Sequence, residues 1–188
     1  MLPKYSMESQ LFDDRELWKK IANGNAEAFA AWYRETAPRL RVFLRHLLSS
    51  EPAAEDVMQE TFTQIWRRPH GFDPDRGSPR AYLFGVARRQ AAEWGRQQKP
   101  ADELDFDPPA HSPIESNSMV AEAFSRLTPE QRTLLWLREV EGQSYVELAA
   151  ILEIPLGTVR SRLFAAREAL RALWHTAPQS SGGPHGLR

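Results

Sequence analysis

The chain has 188 residues, no cysteine and nearly balanced charge, with 24 Lys and Arg against 25 Asp and Glu. That length allows one ordinary domain or two small ones, and the missing cysteines exclude disulfides, thiol nucleophiles and cysteine-ligated zinc. No run approaches the roughly 18 apolar residues of a membrane span, and Met1 to Asp14 has no apolar signal-peptide core, so the expectation is a cytoplasmic protein without membrane contact of its own.

Strand signals are nearly absent, and apolar residues recur at helical spacing along most of the chain. After an N-terminal arm over 1–12, the periodicity predicts helices at about 13–23, 26–49, 53–68 and 79–98, with Pro38 inside the second as a kink point. Gly71 to Pro79 (GFDPDRGSP) is a loop dense in turn residues. Residues 99–113 (KPADELDFDPPAHSP) combine proline and acid with too little apolar content to bury a core, which marks a linker. Further helices are expected at about 114–126, 129–140, 145–153 and 156–175, and the Gly/Pro/Ser-rich stretch Ala177 to Arg188 predicts a disordered tail. The fold class is therefore all-α: two small helical domains, 13–98 and 114–176, joined by an acidic, Pro-rich linker.

Charge is segregated along this plan. Residues 101–118 hold Asp102, Glu103, Asp105, Asp107 and Glu115 with no Lys or Arg, whereas residues 76–100 set Arg76, Arg80, Arg88, Arg89, Arg96 and Lys99 against Glu93 alone. A local basic footprint of this kind suits a nucleic-acid partner better than the overall charge suggests. On charge alone, ordinary solvated basic helices explain it equally well.

In the second domain, Ser144 and Glu147 fit the N-cap and N3 positions of a capping box. A short helix follows, then Glu153-Ile154, then Pro155 at the start of a new helix. Two helices joined by so tight a turn make a helix-turn-helix. In the second of them Val159, Leu163, Ala166, Leu170 and Leu173 form the buried stripe, and Arg160, Ser161, Phe164, Arg167 and Arg171 lie outside it. Arginine can take guanine edges or phosphates, and an aromatic edge can meet a thymine methyl. Packing of Phe164 on a neighbour is the competing explanation.

In the first domain, helix 53–68 sets a core face of Met58, Phe62, Ile65 and Trp66 against a polar face of Asp56, Gln59, Glu60 and Thr63. Such a face is commonly just solvated. Helix 79–98 is expected to bury Leu83, Val86, Ala87, Gln90 and Trp94 on one side and to carry Ala81, Gly85, Arg88, Arg89, Ala92 and Arg96 on the opposite arc. Small residues between arginines would let a nucleic-acid backbone approach, with phosphate neutralisation and stacking on unpaired bases.

These segments resemble a known family. Gln143 to Ala149 followed by Ile154 to Arg167, entered by Leu127-Thr128-Pro129-Glu130-Gln131-Arg132, is similar to the −35-binding domain of extracytoplasmic-function (ECF) sigma factors of the sigma-70 family. Glu55 to Phe62 resembles that family's segment for docking on core RNA polymerase, and Phe72 to Arg88 resembles its loop and helix for reading and melting the −10 element. The similarity weakens beyond Arg88: the family has Asn, Asp and an apolar residue where this chain has Arg89, Glu93 and Gly95. The resemblance implies a sigma factor that lends promoter recognition to core polymerase and catalyses nothing, with no cofactor or metal. It implies polymerase contacts at Asp56, Gln59, Glu60 and Thr63. It implies −10 contacts at Phe72, Arg76, Arg80, Tyr82, Arg88 and Arg89, and −35 contacts at Gly157, Thr158, Arg160, Ser161, Phe164 and Arg167. Partners so implied are core RNA polymerase, promoter DNA and an anti-sigma factor. The alternatives are a helix-turn-helix regulator acting without polymerase and a pure interaction module. An enzyme is disfavoured, because Asp73/Asp75 and Asp105/Asp107 lie in Pro-rich loops without a supporting His or a Gly-rich phosphate loop.

Overall fold

A computed structural model describes residues 7–48, 50–98, 123–124 and 126–176, and every regular element in them is helical. Local chemistry sets the helix starts. Asn25 caps α2 (Ala26–Leu47) by accepting the Ala28 N–H at 2.8 Å, and Ser50 caps α3 (Glu51–Arg67) with a proline in its first turn. Ser78 Oγ accepts the Ala81 N–H at 3.2 Å where α4 (Pro79–Gln98) begins. Full capping boxes open α5 (Pro129–Leu135), through Thr128 and Gln131, and α6 (Tyr145–Leu152), through Ser144 and Glu147. The last helix, α7, runs Leu156–Thr176.

Three elements depart from expectation. The first helix, α1 (Met7–Ala22), starts well inside the stretch read as an arm. The helix expected at 129–140 changes character at Trp136: α5 gives way to a π-helical turn over Trp136–Val140, closed by the Glu141 N–H on the Trp136 carbonyl at 3.1 Å. Of the helix expected at 114–126, only 123–124 is described as helical, and the linker and the tail lie outside the described residues.

α1 to α4 pack around Trp32, Leu40, Phe43, Leu44, Ile65, Leu83 and Phe84, all buried. The helix-turn-helix has its own apolar centre in Leu148, Ile151, Val159, Leu163 and Ala166. The two sets share one continuous core. Trp136, at the head of the π-helical turn, joins them: its ring lies 6.2 Å from Phe43, nearly parallel, and 5.8 Å edge-on from Phe84. His46 meets the same ring edge-on at 5.7 Å. Nearby, the almost fully buried Glu141 carboxylate pairs with Arg39 at 3.2 Å. Burial pushes the Glu141 carboxyl above its ordinary range, and Arg39 opposes that rise.

Candidate nucleic-acid and polymerase interfaces

The polar face of α3 is a ridge between two grooves. Asp56, Gln59 and Glu60 are exposed and Thr63 is half-buried; Trp66, read as core, is exposed at the end of the same helix. On one side Asp56, Glu60 and Gln64 face Gln90, Glu93, Trp94 and Gln97 of α4 across a groove of about 380 Å³. On the other, Gln59, Phe62, Thr63 and Trp66 face Phe29 and Tyr33 of α2 across an aromatic groove of about 330 Å³. The neighbouring acids are neutralised internally: Glu51 by Arg41 and Arg45, Glu55 by Arg41 at longer range, and Glu141 by Arg39. Among the described residues Asp56 and Glu60 form no ion pair.

The loop before α4 is held from three sides. Phe72 and Tyr82 gather on Trp18 with ring centroids 5.1 and 5.8 Å away. Arg15 donates to the Pro74 carbonyl at 3.0 Å, and Asp73 accepts the Asp75 N–H at 3.0 Å. The Tyr82 hydroxyl lies so close to Gly71 that a Cβ there would stand 2.6 Å from it. Burial raises the Tyr82 pKa. The side chain of Arg76 lies outside the described part of the structure.

Arg80 is a correction. Read as a −10 contact, it is instead buried, with Nε donating to Asp14 at 2.7 Å and a second nitrogen to Glu35. Burial works against its charge, but the two carboxylates more than offset that, and its pKa is raised. Arg80 ties α1, α2 and α4 together and is not presented to a ligand.

Arg88 and Arg89 do reach the surface, but their face of α4 is not open. Ala81 and Gly85, read as lying outside the core, are buried where α6 packs on α4. Gln90, read as core, is half-buried instead: it accepts from the Thr61 hydroxyl at 2.6 Å and donates to Gln64 at 2.7 Å.

The recognition helix presents the opposite picture. Val159, Leu163 and Ala166 are buried, and Phe164 on the other side is 67% exposed. Arg160, Ser161 and Gly157 are also exposed, and Thr158 is half-buried. Ser161 donates to the Thr158 carbonyl at 3.1 Å. Arg167 is held by Glu139 at 2.6 Å, whereas Arg160 has no ion pair among the described residues. Among the described residues Phe164 therefore packs on no neighbour that buries it. Sequence reasoning missed Arg15, Trp18 and Trp136, whose partners are distant in sequence. It also missed Glu153, although an acid in the αL position of the turn, where Gly or Asn is usual, is a visible signal.

An all-helical pair of domains ending in a helix-turn-helix with an exposed Arg/Phe face defines a DNA-binding protein of the transcription apparatus. The models of Sigma-70 region 2 and Sigma-70 region 4 match residues 32–100 and 118–170. ECF RNA polymerase sigma factor SigK of Mycobacterium ulcerans is 30% identical over 174 residues, covering 86% of this chain and 91% of the relative. ECF RNA polymerase sigma factor RpoE of Cereibacter sphaeroides is 31% identical, covering 77% and 84%. The sigma factor RpoE of Bartonella quintana, solved with the anti-sigma factor NepR, superposes with a TM-score of 0.61 at 28% identity, covering 81% of this chain and 99% of that one. The chain belongs to the ECF RNA polymerase sigma factors of the sigma-70 family. It directs core polymerase to specific promoters and initiates transcription.

Proposed function

We propose that the work of a sigma factor is divided among three surfaces of this chain. The α3 ridge of Asp56, Gln59, Glu60 and Thr63 docks on core polymerase. The loop and helix bearing Phe72, Arg76, Tyr82, Arg88 and Arg89 take the −10 strand. The α7 face of Gly157, Thr158, Arg160, Ser161, Phe164 and Arg167 reads the −35 duplex. The N-terminal domain, 13–98, and the helix-turn-helix domain, 114–176, carry these roles separately across the 99–113 linker. The protein performs no catalysis itself and works in the cytoplasm, where polymerase and DNA meet. The Bartonella relative was solved with an anti-sigma factor, and an anti-sigma partner is part of this reading.

The observation that carries it is the contrast along α3. Glu51 and Glu55 are paired internally while Asp56 and Glu60 point outward without an ion pair among the described residues. Unpaired surface acids beside amides suit a basic partner, to which they give steering and register. The double substitution Asp56→Ala, Gln59→Ala should weaken binding to core polymerase in a pull-down and leave the circular-dichroism helicity unchanged. Unaltered affinity for core would remove α3 from the polymerase interface.

A further inference from the structure

The loop between α3 and α4 has little of its own to hold it. Phe72 is half-buried, whereas Gly71, Asp73, Pro74 and Asp75 are exposed. The hydrogen bond from the Asp75 N–H to the Asp73 side chain fixes one turn locally. The remaining anchors come from α1, and the bond from Arg15 to Pro74 spans 59 residues of chain.

Three α1 side chains, spread over little more than one helical turn, reach this region. Asp14 takes the Arg80 guanidinium at 2.7 Å, just past the end of the loop. Arg15 donates to the Pro74 carbonyl at 3.0 Å. Pro74 opens the short 3-10 turn Pro74–Arg76, so this bond fixes the turn that carries Arg76. Trp18 seats Phe72 and Tyr82 edge-on at 5.1 and 5.8 Å, and is itself backed edge-on by Trp32 at 5.2 Å. The Arg15 bond reaches no core residue; what it holds is the conformation of the loop. α1 ends at Ala22, ahead of the residues 32–100 that match Sigma-70 region 2.

We propose that Arg15 and Trp18 are positioning residues for −10 recognition, holding the loop from Phe72 to Arg76 in its strand-binding shape before DNA arrives. The proposal rests on the reading of that loop as a −10 contact. A loop already ordered loses less conformational freedom on binding. Neither α1 side chain touches DNA; both act through Phe72 and the Pro74–Arg76 turn.

The test uses the full chain, alone and assembled with core polymerase on a promoter fragment mapped by run-off transcription. Arg15 is exposed, so Arg15→Ala spares the core. In the free protein, amide hydrogen exchange over residues 71–77 should quicken by roughly three- to tenfold, about what one exposed hydrogen bond supplies, with exchange in α7 unchanged. In the complex, the lifetime of heparin-resistant open complexes should fall by a similar factor. Affinity for core polymerase and the salt slope of promoter binding should not change. Arg15→Lys, which keeps a donor, should restore part of both losses. Trp18→Phe should quicken exchange in the loop more than elsewhere in α1 to α4; uniform quickening would remove Trp18 from the proposal. Unchanged exchange over 71–77 in Arg15→Ala, or an unchanged lifetime where Phe72→Ala shortens it, would overturn the positioning role and leave the −10 reading standing. A salt slope lowered by about one would make Arg15 a phosphate contact and overturn it equally. Unchanged lifetimes in both Arg15→Ala and Phe72→Ala would overturn the −10 reading of the loop, and the proposal with it.

Discussion

Helices α4 and α7 have nearly the same length, 20 and 21 residues, and both carry arginines opposite a buried stripe. Their surroundings differ. α7 buries one face and leaves the other to solvent, whereas α4 is covered on both, by α1 to α3 on one side and by α6 on the other. The difference lies in the side chains between the arginines. On α7 these are Ser161, Phe164 and Ala165, and a projecting aromatic ring keeps another helix at a distance. On α4 they are Ala81 and Gly85, which offer no bulk and invite close approach. A stripe of small residues fits whichever backbone reaches it, and in the protein alone that is its own.

The comparison is broken most severely at Arg80. If this arginine is a structural tie rather than a DNA contact, Arg80→Ala breaks its buried ion pair with Asp14, which should cost about 3–5 kcal/mol. Arg88→Ala, on the same helix but at the surface, should change stability by less than about 1 kcal/mol. Urea melts of the two variants check this, and equal stability would place Arg80 back on the surface.

The closure of α4 should also depend on pH through His46. This ring is buried at the seam beside Trp136 and Phe124, and among the described residues neither ring nitrogen has a hydrogen-bond partner. Burial, with Arg132 and Arg45 nearby, lowers its pKa from 6.5 to about 4. A base with a depressed pKa favours the packed form above 6.5, and the stabilisation is lost as pH falls towards 4. The full loss is about 3 kcal/mol, and about 1.4 kcal/mol is gone by pH 5.5. Glu141, whose pKa burial raises, acts in the opposite sense at the acidic end. His46→Phe should flatten the change in melting temperature between about pH 7.5 and 5.5; an unchanged pH dependence would remove His46 from the seam's titration.

On the open helix the expected effects fall on recognition rather than stability. Phe164→Ala should leave the melting temperature unchanged, since the ring is exposed. It should cost about 1–3 kcal/mol at one position of the −35 element, with an unchanged salt slope. A uniform loss over all sequences would speak against a base contact. Arg167→Ala should have the smallest effect on binding, because Glu139 already engages that side chain. Affinity for two promoter variants, measured with both substitutions, ranks these contributions.

What the sequence made legible is chiefly local. The Ser144–Glu147 capping box, the tight turn at Glu153-Ile154 and the outward position of Phe164 follow from spacing within a few residues, and the structure has all three. Packing between distant segments is not encoded in that way. Arg80 looked like its neighbours Arg88 and Arg89 because its partners, Asp14 and Glu35, lie far back in the chain. Gly85 and Ala81 looked like an open groove because helical periodicity reports which side of a helix differs, not what covers it. Trp136 carried no signal of its own in the sequence, yet it joins the two domains. Glu147 was accounted for by its capping role, while its other oxygen accepts from Ser78.

The contrast between a shut α4 and an open α7 is tested most directly by the distance between the domains. The chain has no cysteine, so Ala30→Cys in α2 and Ala150→Cys in α6, both exposed positions, can carry a donor and an acceptor dye. Energy transfer should be high in the protein alone and should fall when core polymerase and promoter DNA are added under conditions that support run-off transcription. Unchanged transfer in a transcribing complex would show that α6 stays on α4 while the promoter is read, and would contradict the assignment of that face to the −10 strand.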